Sequence, residues 1–281
     1  MDIKKITNIL ETIVPGSDRL ESDIYFESLS MSGLEEMHAY SVDERLYEFF
    51  EFKPFKAIND TKNYINKLLN ERMSYDGHLK RGMYWFVRRK NDKKLIGTSC
   101  LVDIDYSRKS LEWGYGIDPN YWGTGYILQI QEALKDYIFS KLLFNRIYGN
   151  TFVTNKRAIS SLISAGMKEE GIARQYYFKD GKYVDSWMYS MLREDYLKSK
   201  TTFNNESKSI SDEKIIKIVS RALENDNINI NSTMLNTDNW DSLNHMQIIV
   251  LLKEELNIVF SPKDIANSRS IKLIIEILNN E

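Results

Sequence analysis

The 281-residue sequence is poor in cysteine, histidine and proline, with one, three and four respectively. A single thiol, Cys100, cannot form an intramolecular disulfide, so the chain reads as a protein of a reducing compartment, the cytoplasm. His38, His78 and His245 lie far apart, and none has metal-ligand spacing to Cys100, so no metal is expected. No apolar run approaches the ~20 residues needed to span a bilayer. The opening MDIKKITNILETIVPG has neither the apolar core nor the small-residue cleavage site of a signal peptide. Strong charge is missing too: the net charge is −2, which gives no pull toward nucleic acid or an anionic membrane.

What is present is apolar patterning in ordinary amount, 42% hydrophobic and 28% charged residues, on a chain long enough for two domains. The boundary falls in 198–210, KSKTTFNNESKSI, which has little apolar content and reads as a flexible linker. Before it, over 1–197, helical and alternating patterns mix. Amphipathic helices are expected over 31–49 and 59–73. Strands are expected over 83–89, 94–104 and 109–117, a helix over about 125–140, a strand over 145–153, and a helix from Asn155 to about Ser164. Strands at 171–179 and 183–192 meet at the turn KDGK. That order predicts an α/β layer with a mixed, mostly antiparallel sheet and flanking helices. From 211 to 281 the pattern is helical throughout, a small all-α bundle. Its second helix is marked by Leu243, Met246, Val250 and Leu256. Seven basic and eleven acidic residues from Ser211 on give this tail −4 and leave +2 for the rest, a weak complementarity between domains.

Between the last of the first three strands and the following helix stands Tyr121-Trp122-Gly123-Thr124-Gly125-Tyr126. A glycine-rich turn at a helix start lets backbone N–H groups approach a pyrophosphate, or is simply a tight strand-to-helix turn. Glu112, on the preceding strand beside Trp113, is either a carboxylate whose burial raises its pKa into the range of a general base or a solvent-facing strand residue. Cys100 sits in an apolar strand and reads as a buried structural thiol. Tyr176, Tyr177, Phe178 and Tyr183 read as hairpin core packing, with an acceptor pocket as the alternative.

The segment EWGYGIDPNYWGTGY with its helix resembles the acetyl-CoA site of the GNAT superfamily of N-acyltransferases, nearest the ribosomal-protein alanine and antibiotic acetyltransferase group. The downstream Asn155-Lys156-Arg157-Ala158-Ile159, Ala165-Gly166-Met167, GIAR and DGKYVDSWMYSMLREDY extend the resemblance over about 20–197. It implies a GNAT fold binding acetyl-CoA or another acyl-CoA. Gly123, Thr124 and Gly125 would hold the pyrophosphate, flanked by Trp122 and Tyr126, with Asn155 near the pantetheine arm and Glu112 as the base. Ile127, Ala158 and Leu162 depart from the commonest family residues, and Leu162 stands where many members carry the tyrosine that protonates the leaving thiolate.

In the tail, Trp240-Asp241-Ser242-Leu243 stands at the start of the second helix, where an anion is favoured, although Asp-Ser-Leu is also an ordinary helix start. WDSLNHMQIIVLLKEELNIVFSPKDIANSRSIKLIIEIL resembles the acyl carrier protein family. That resemblance implies 4′-phosphopantetheine on Ser242, attached by a phosphopantetheinyl transferase, with an acyl-loading enzyme as a further partner. Together the two resemblances imply an N-acyltransferase acting on a small-molecule or carrier-bound amine, drawing on CoA or on a carrier-bound thioester. A protein N-terminal acetyltransferase with an accessory carrier domain, and a scaffold with a degenerate transferase domain, are the other readings.

Overall fold

A computed structural model describes residues 2–19, 21–203, 211–256, 258 and 260–279. The chain divides into two compact units, Met1–Tyr196 and Leu197–Glu281. The first begins with α1 (Ile3–Thr12) and β1 (Ile24–Ser28), then α2 (Leu34–Ser41) and α3 (Ile58–Lys67), which a π-helical turn extends to Arg72. A short hairpin of β2 (Tyr75–Asp76) and β3 (Leu79–Lys80) follows. Next come β4 (Met83–Arg89), β5 (Leu95–Asp105), β6 (Ser110–Ile117), α4 (Tyr126–Asp136), β7 (Arg146–Phe152), α5 (Lys156–Ser164), β8 (Lys168–Lys179) and β9 (Lys182–Leu192), and then α6 (Arg193–Phe203), within which the first unit ends at Tyr196.

Seven strands form one sheet in the order β1-β4-β5-β6-β7-β9-β8. Every neighbouring pair is antiparallel except β6 and β7. Period-2 alternation sends Trp85, Leu101, Leu111, Trp113 and Ile147 into a core shared with Ile6 and Leu10 of α1 and Ile130 and Leu134 of α4. On the second face Phe86 and Leu95 meet Met37 and Tyr40 of α2 and Ile65 of α3. Each such fully buried side chain contributes about 1.5–3 kcal/mol relative to exposure. Polar ties fix α4 in this frame. Buried Gln129 accepts from Ser22 Oγ and Asp23 N at 2.9 and 2.8 Å, and Lys135 Nζ donates to Ala165 O at 3.0 Å, anchoring α4 to β1 and to the end of α5.

The second unit carries α7 (Asp212–Leu223), α8 (Ser242–Leu256), α9 (Pro262–Asn267) and α10 (Ile271–Asn279). Ile215, Ile218, Val219, Ile248, Leu252, Ile271 and Ile274 fill its core. α9 opens on a capping box in which Ser261 and Asp264 satisfy each other's backbone N–H at 3.1 and 2.8 Å.

Three sequence expectations change. The helix expected over 31–49 is broken into a 3-10 turn at Met31–Gly33, α2 and a second turn at Glu44–Tyr47. Gly33 lies so close to the Phe86 ring that a Cβ there would stand 2.4 Å from it, and the Asp43 carboxylate caps the second turn through Arg45 N at 3.0 Å. The linker expected over 198–210 is helical as far as Phe203, as the end of α6; residues 204–210 lie outside the described residues. On α8 the buried seam is His245, Ile248, Ile249, Leu252 and Leu256. Met246 and Val250 are only half-buried, and the Leu243 side chain lies outside the description.

Candidate active site

The parallel pair β6/β7 is where the sheet opens. Their register runs Ser110–Arg146, Leu111–Ile147, Glu112–Tyr148 and stops. β6 continues to Ile117 bonded only to β5, and β7 continues to Phe152 bonded only to β9. Beyond Glu112 the facing edges of the two strands are therefore unpaired with each other, a wedge whose backbone groups need other partners. The Trp113 indole lies against Gly149 within the core, where a Cβ would stand 3.0 Å from Nε1.

The wide end of the wedge leads to the glycine turn. Asp118 accepts from Asn120 N at 2.9 Å and starts a single helical turn over Pro119–Tyr121. Thr124 Oγ1 then donates to Tyr121 O at 2.6 Å. Gly123 and Gly125 take φ of +74° and +84°, the left-handed region that glycine enters without strain. A Cβ on Gly123 would meet nothing within 4 Å, so the turn borders open space. α4 follows with no side-chain cap and no acidic residue in its first turn, leaving its first N–H groups for an anion. Cations ring the turn. Arg157 lies over the Trp122 ring at 3.7 Å, and Arg89 and Lys94 lie over the Tyr121 ring at 4.9 and 5.3 Å. These features suit a pyrophosphate.

The other expected cofactor contacts have local duties as well. Trp122 Nε1 donates to Ile117 O at 3.2 Å, which ties the turn to the end of β6. Tyr126 packs edge-on to Tyr121. Asn155 caps α5, its Oδ1 accepting from Ala158 N at 3.2 Å. Ile127 packs against the core. Leu162 is buried in it and supplies no proton donor.

Glu112 stands at the point where the strands part, half-buried on the α2/α3 face. Its Oε1 accepts from Asn150 Nδ2 at 2.9 Å. Burial, and next the charge of Asp103, push its pKa up to about 7, while the Asn150 bond pulls the other way. Asp103 reaches this position through a bulge in β5, with φ of +48°. Cys100 pairs with Gly114 across from β6, and burial with the Glu112 charge pushes its thiol up to about 12, so it is no nucleophile at neutral pH.

The hairpin aromatics do not pack as a hairpin core. Tyr176, Phe178 and Tyr183 are 50%, 52% and 65% exposed. Tyr177 alone turns inward: its ring packs on Phe152 at 4.5 Å and its hydroxyl donates to Asn150 Oδ1. Sequence reading also missed the strap between α2 and α3, rich in phenylalanine. Glu51 Oε1 accepts from Phe178 N at 2.8 Å, Lys179 Nζ donates to Phe50 O at 2.6 Å, and Phe49 packs edge-on to Phe152. The strap thus ties the β8–β9 hairpin down beside Glu112. Its residue string FFEFKPF was the available signal.

In the second unit Ser242 opens α8; its side chain lies outside the described residues. Asp241 Oδ1 accepts from Asn244 N at 2.8 Å and caps the helix. Buried Trp240 donates through Nε1 to His245 Nδ1 at 3.2 Å, pinning the chain on both sides of the serine. Among the described residues no cluster of His, Cys, Asp and Glu suits a metal ion, and no helix is long and apolar enough to cross a membrane.

Residues 24–168 match the family described as the Acetyltransferase (GNAT) domain, and the chain belongs to that family. An uncharacterized N-acetyltransferase p20 of Bacillus licheniformis is 28% identical over 178 residues, 62% of this chain and 97% of its own length. A spermidine N(1)-acetyltransferase of Vibrio cholerae is 25% identical, covering 63% of this chain and 98% of its own. A crystal structure of the spermidine N-acetyltransferase from Vibrio cholerae with CoA and spermine shares the fold, with a TM-score of 0.54 at 23% identity over 63% of this chain and 99% of that one.

Proposed function

We propose that this chain transfers an acetyl group from acetyl-CoA to a small primary amine, with Glu112 as the base. We further propose that its C-terminal unit is an acyl carrier domain bearing 4′-phosphopantetheine on Ser242, installed by a phosphopantetheinyl transferase. The observation that carries the transferase reading is Glu112, half-buried where β6 and β7 part, on the strand that leads to the glycine turn.

The division of labour follows from position. The amides of Gly123, Thr124, Gly125 and Tyr126 hold the pyrophosphate of acetyl-CoA. Arg157 on Trp122 adds charge, and Asn155 borders the pantetheine side at the head of α5. A bound thioester supplies an activated acyl group. Glu112 takes a proton from the incoming ammonium ion and frees the lone pair that attacks the carbonyl. Unpaired N–H groups on the wedge edge of β6 face the developing oxyanion, a preorganised contact that strengthens as charge forms. With Leu162 in place of a hydroxyl, the leaving thiolate draws its proton from the protonated Glu112 or from water, and the second proton on the attacking nitrogen passes to solvent as the amide forms. The Asp103 charge that acts on Glu112 favours a cationic amine, and the relative named for spermidine supports a small-molecule acceptor.

The test is turnover of acetyl-CoA against a panel of small primary amines that includes spermidine and an amino sugar, read by thiol release and by the mass of the product. One acetylated amine per thiol released is expected with at least one cationic member. CoA binding without turnover on any amine would overturn the reading in favour of a degenerate transferase domain.

A further inference from the structure

β8 does not run straight along β9. Ala173 pairs with Ser186, yet Tyr177 pairs with Val184, so three residues, Arg174, Gln175 and Tyr176, stand opposite Asp185 alone. The bulge is held by two devices: Gln175 takes φ of +55°, and its N–H donates to Asp185 Oδ1 at 2.7 Å. Without the two extra residues Tyr177 would pair nearer the hairpin tip. With them it lies over Phe152 and places its hydroxyl on Asn150.

A carboxamide presents an acceptor at one end and a donor at the other. The Tyr177 hydroxyl occupies the oxygen end of Asn150, so the amide end faces Glu112. A donor aimed at a carboxylate favours its charged form, whereas a carbonyl oxygen aimed there would favour the protonated form. We infer that Tyr177, through Asn150, is a positioning residue that holds Glu112 ready in its ionised, basic form. The chain of two hydrogen bonds opposes burial and the Asp103 charge, so that the carboxylate titrates near neutrality. Other charged or titratable groups face the same space. Asp103 and Cys100 come from β5, Tyr148 from β7, Tyr176 from β8 and Glu51 from the strap, with Arg72 at the end of the π-helical turn. The importance of Glu112 ionisation for rate rests on the transferase reading above; the relay itself does not.

The test is a direct carbon-13 NMR titration of the Glu112 carboxyl in the full chain, the signal assigned by its absence in Glu112→Gln. In Tyr177→Phe the midpoint is expected to rise by about 0.5–1 unit, and in Asn150→Ala by more. The double variant should titrate like Asn150→Ala alone, because the hydroxyl acts only through the amide. A merely structural Tyr177 would leave the midpoint unmoved, and an additive double variant would place its action elsewhere; either result overturns the relay. The pH dependence of kcat/KM separates the two claims. If the Tyr177→Phe midpoint moves while Glu112→Gln keeps the wild-type acid limb, Glu112 is not the base and the relay stands. If the acid limb vanishes in Glu112→Gln but Tyr177→Phe leaves the midpoint fixed, the relay alone falls.

Discussion

Glu112→Gln is expected to lower kcat by about 10²–10⁴-fold, the usual worth of a positioned general base, while stabilising the fold at pH 8. The two effects share one cause. The native state holds the Glu112 proton more tightly than the unfolded chain does, because burial and Asp103 raise the pKa from 4.5 to about 7. This contribution to stability is fully present below about pH 4.5 and is lost as pH rises through about 7. Above that, the ionised carboxylate is a net cost of about 1–3 kcal/mol, which a neutral glutamine removes while still accepting from Asn150. Activity runs the opposite way, since only the ionised form takes a proton: kcat/KM in the wild type should climb through about pH 7 and level off. Chemical denaturation at pH 5 and pH 8, beside rate profiles for both proteins, checks the pair. A variant that loses activity without gaining stability at pH 8 would mean that Glu112 is more exposed than the structure shows. One that keeps its activity would place the base elsewhere.

Ser242→Ala is expected to abolish every mass gain on incubation with CoA and a broad-specificity phosphopantetheinyl transferase, where the wild type gains one arm. In that reaction the serine oxygen displaces 3′,5′-ADP from CoA and the hydroxyl proton leaves to solvent, so the mass added is the phosphopantetheine alone. The local architecture allows the substitution without loss of the helix. Asp241 carries the cap of α8 through Asn244 N, and the Trp240–His245 bond with His245 Nε2 on Ile265 O at 3.0 Å ties the region to α9. The helix start also favours the phosphodiester charge. Thermal unfolding should therefore be nearly unchanged in the variant, and transfer from free acetyl-CoA should persist. A gain that survives in Ser242→Ala would move the attachment to another hydroxyl. No gain in the wild type would remove the carrier assignment and leave the transferase reading untouched.

Much of the first unit was legible because its strands are rich in aromatic and branched residues between clear turns. MYWFVRR became β4 to the residue, and the helix after the glycine turn appeared where its apolar face predicts. β1 was not legible: five residues, IYFES, gain their strand state from pairing with β4 some sixty positions away. The close approach of Gly33 to the Phe86 ring was not legible either, because no local window contains that ring. The candidate site divides in the same way. Glu112 and the glycine turn stand out in the sequence as candidates, whereas Asp103 and Asn150 do not, and Tyr177 stands there only as one of four hairpin aromatics. Their roles come from two bulges, at Asp103 and at Gln175, where non-glycine residues take positive φ and no glycine marks the spot. Tyr176-Tyr177-Phe178 looks uniform in sequence, and only the bulge decides which ring turns inward.

Acyl-CoA is proposed to bind in the wedge between β6 and β7, entered over the glycine turn. Backbone amide spectra of the full chain during titration with acetyl-CoA test this. The expected result is saturable shifts at Gly123, Thr124, Gly125 and Tyr126 and along Trp113–Ile117, with the amides of α7 and α10 unmoved. Saturable binding that leaves the glycine turn and the wedge edge unperturbed would contradict it.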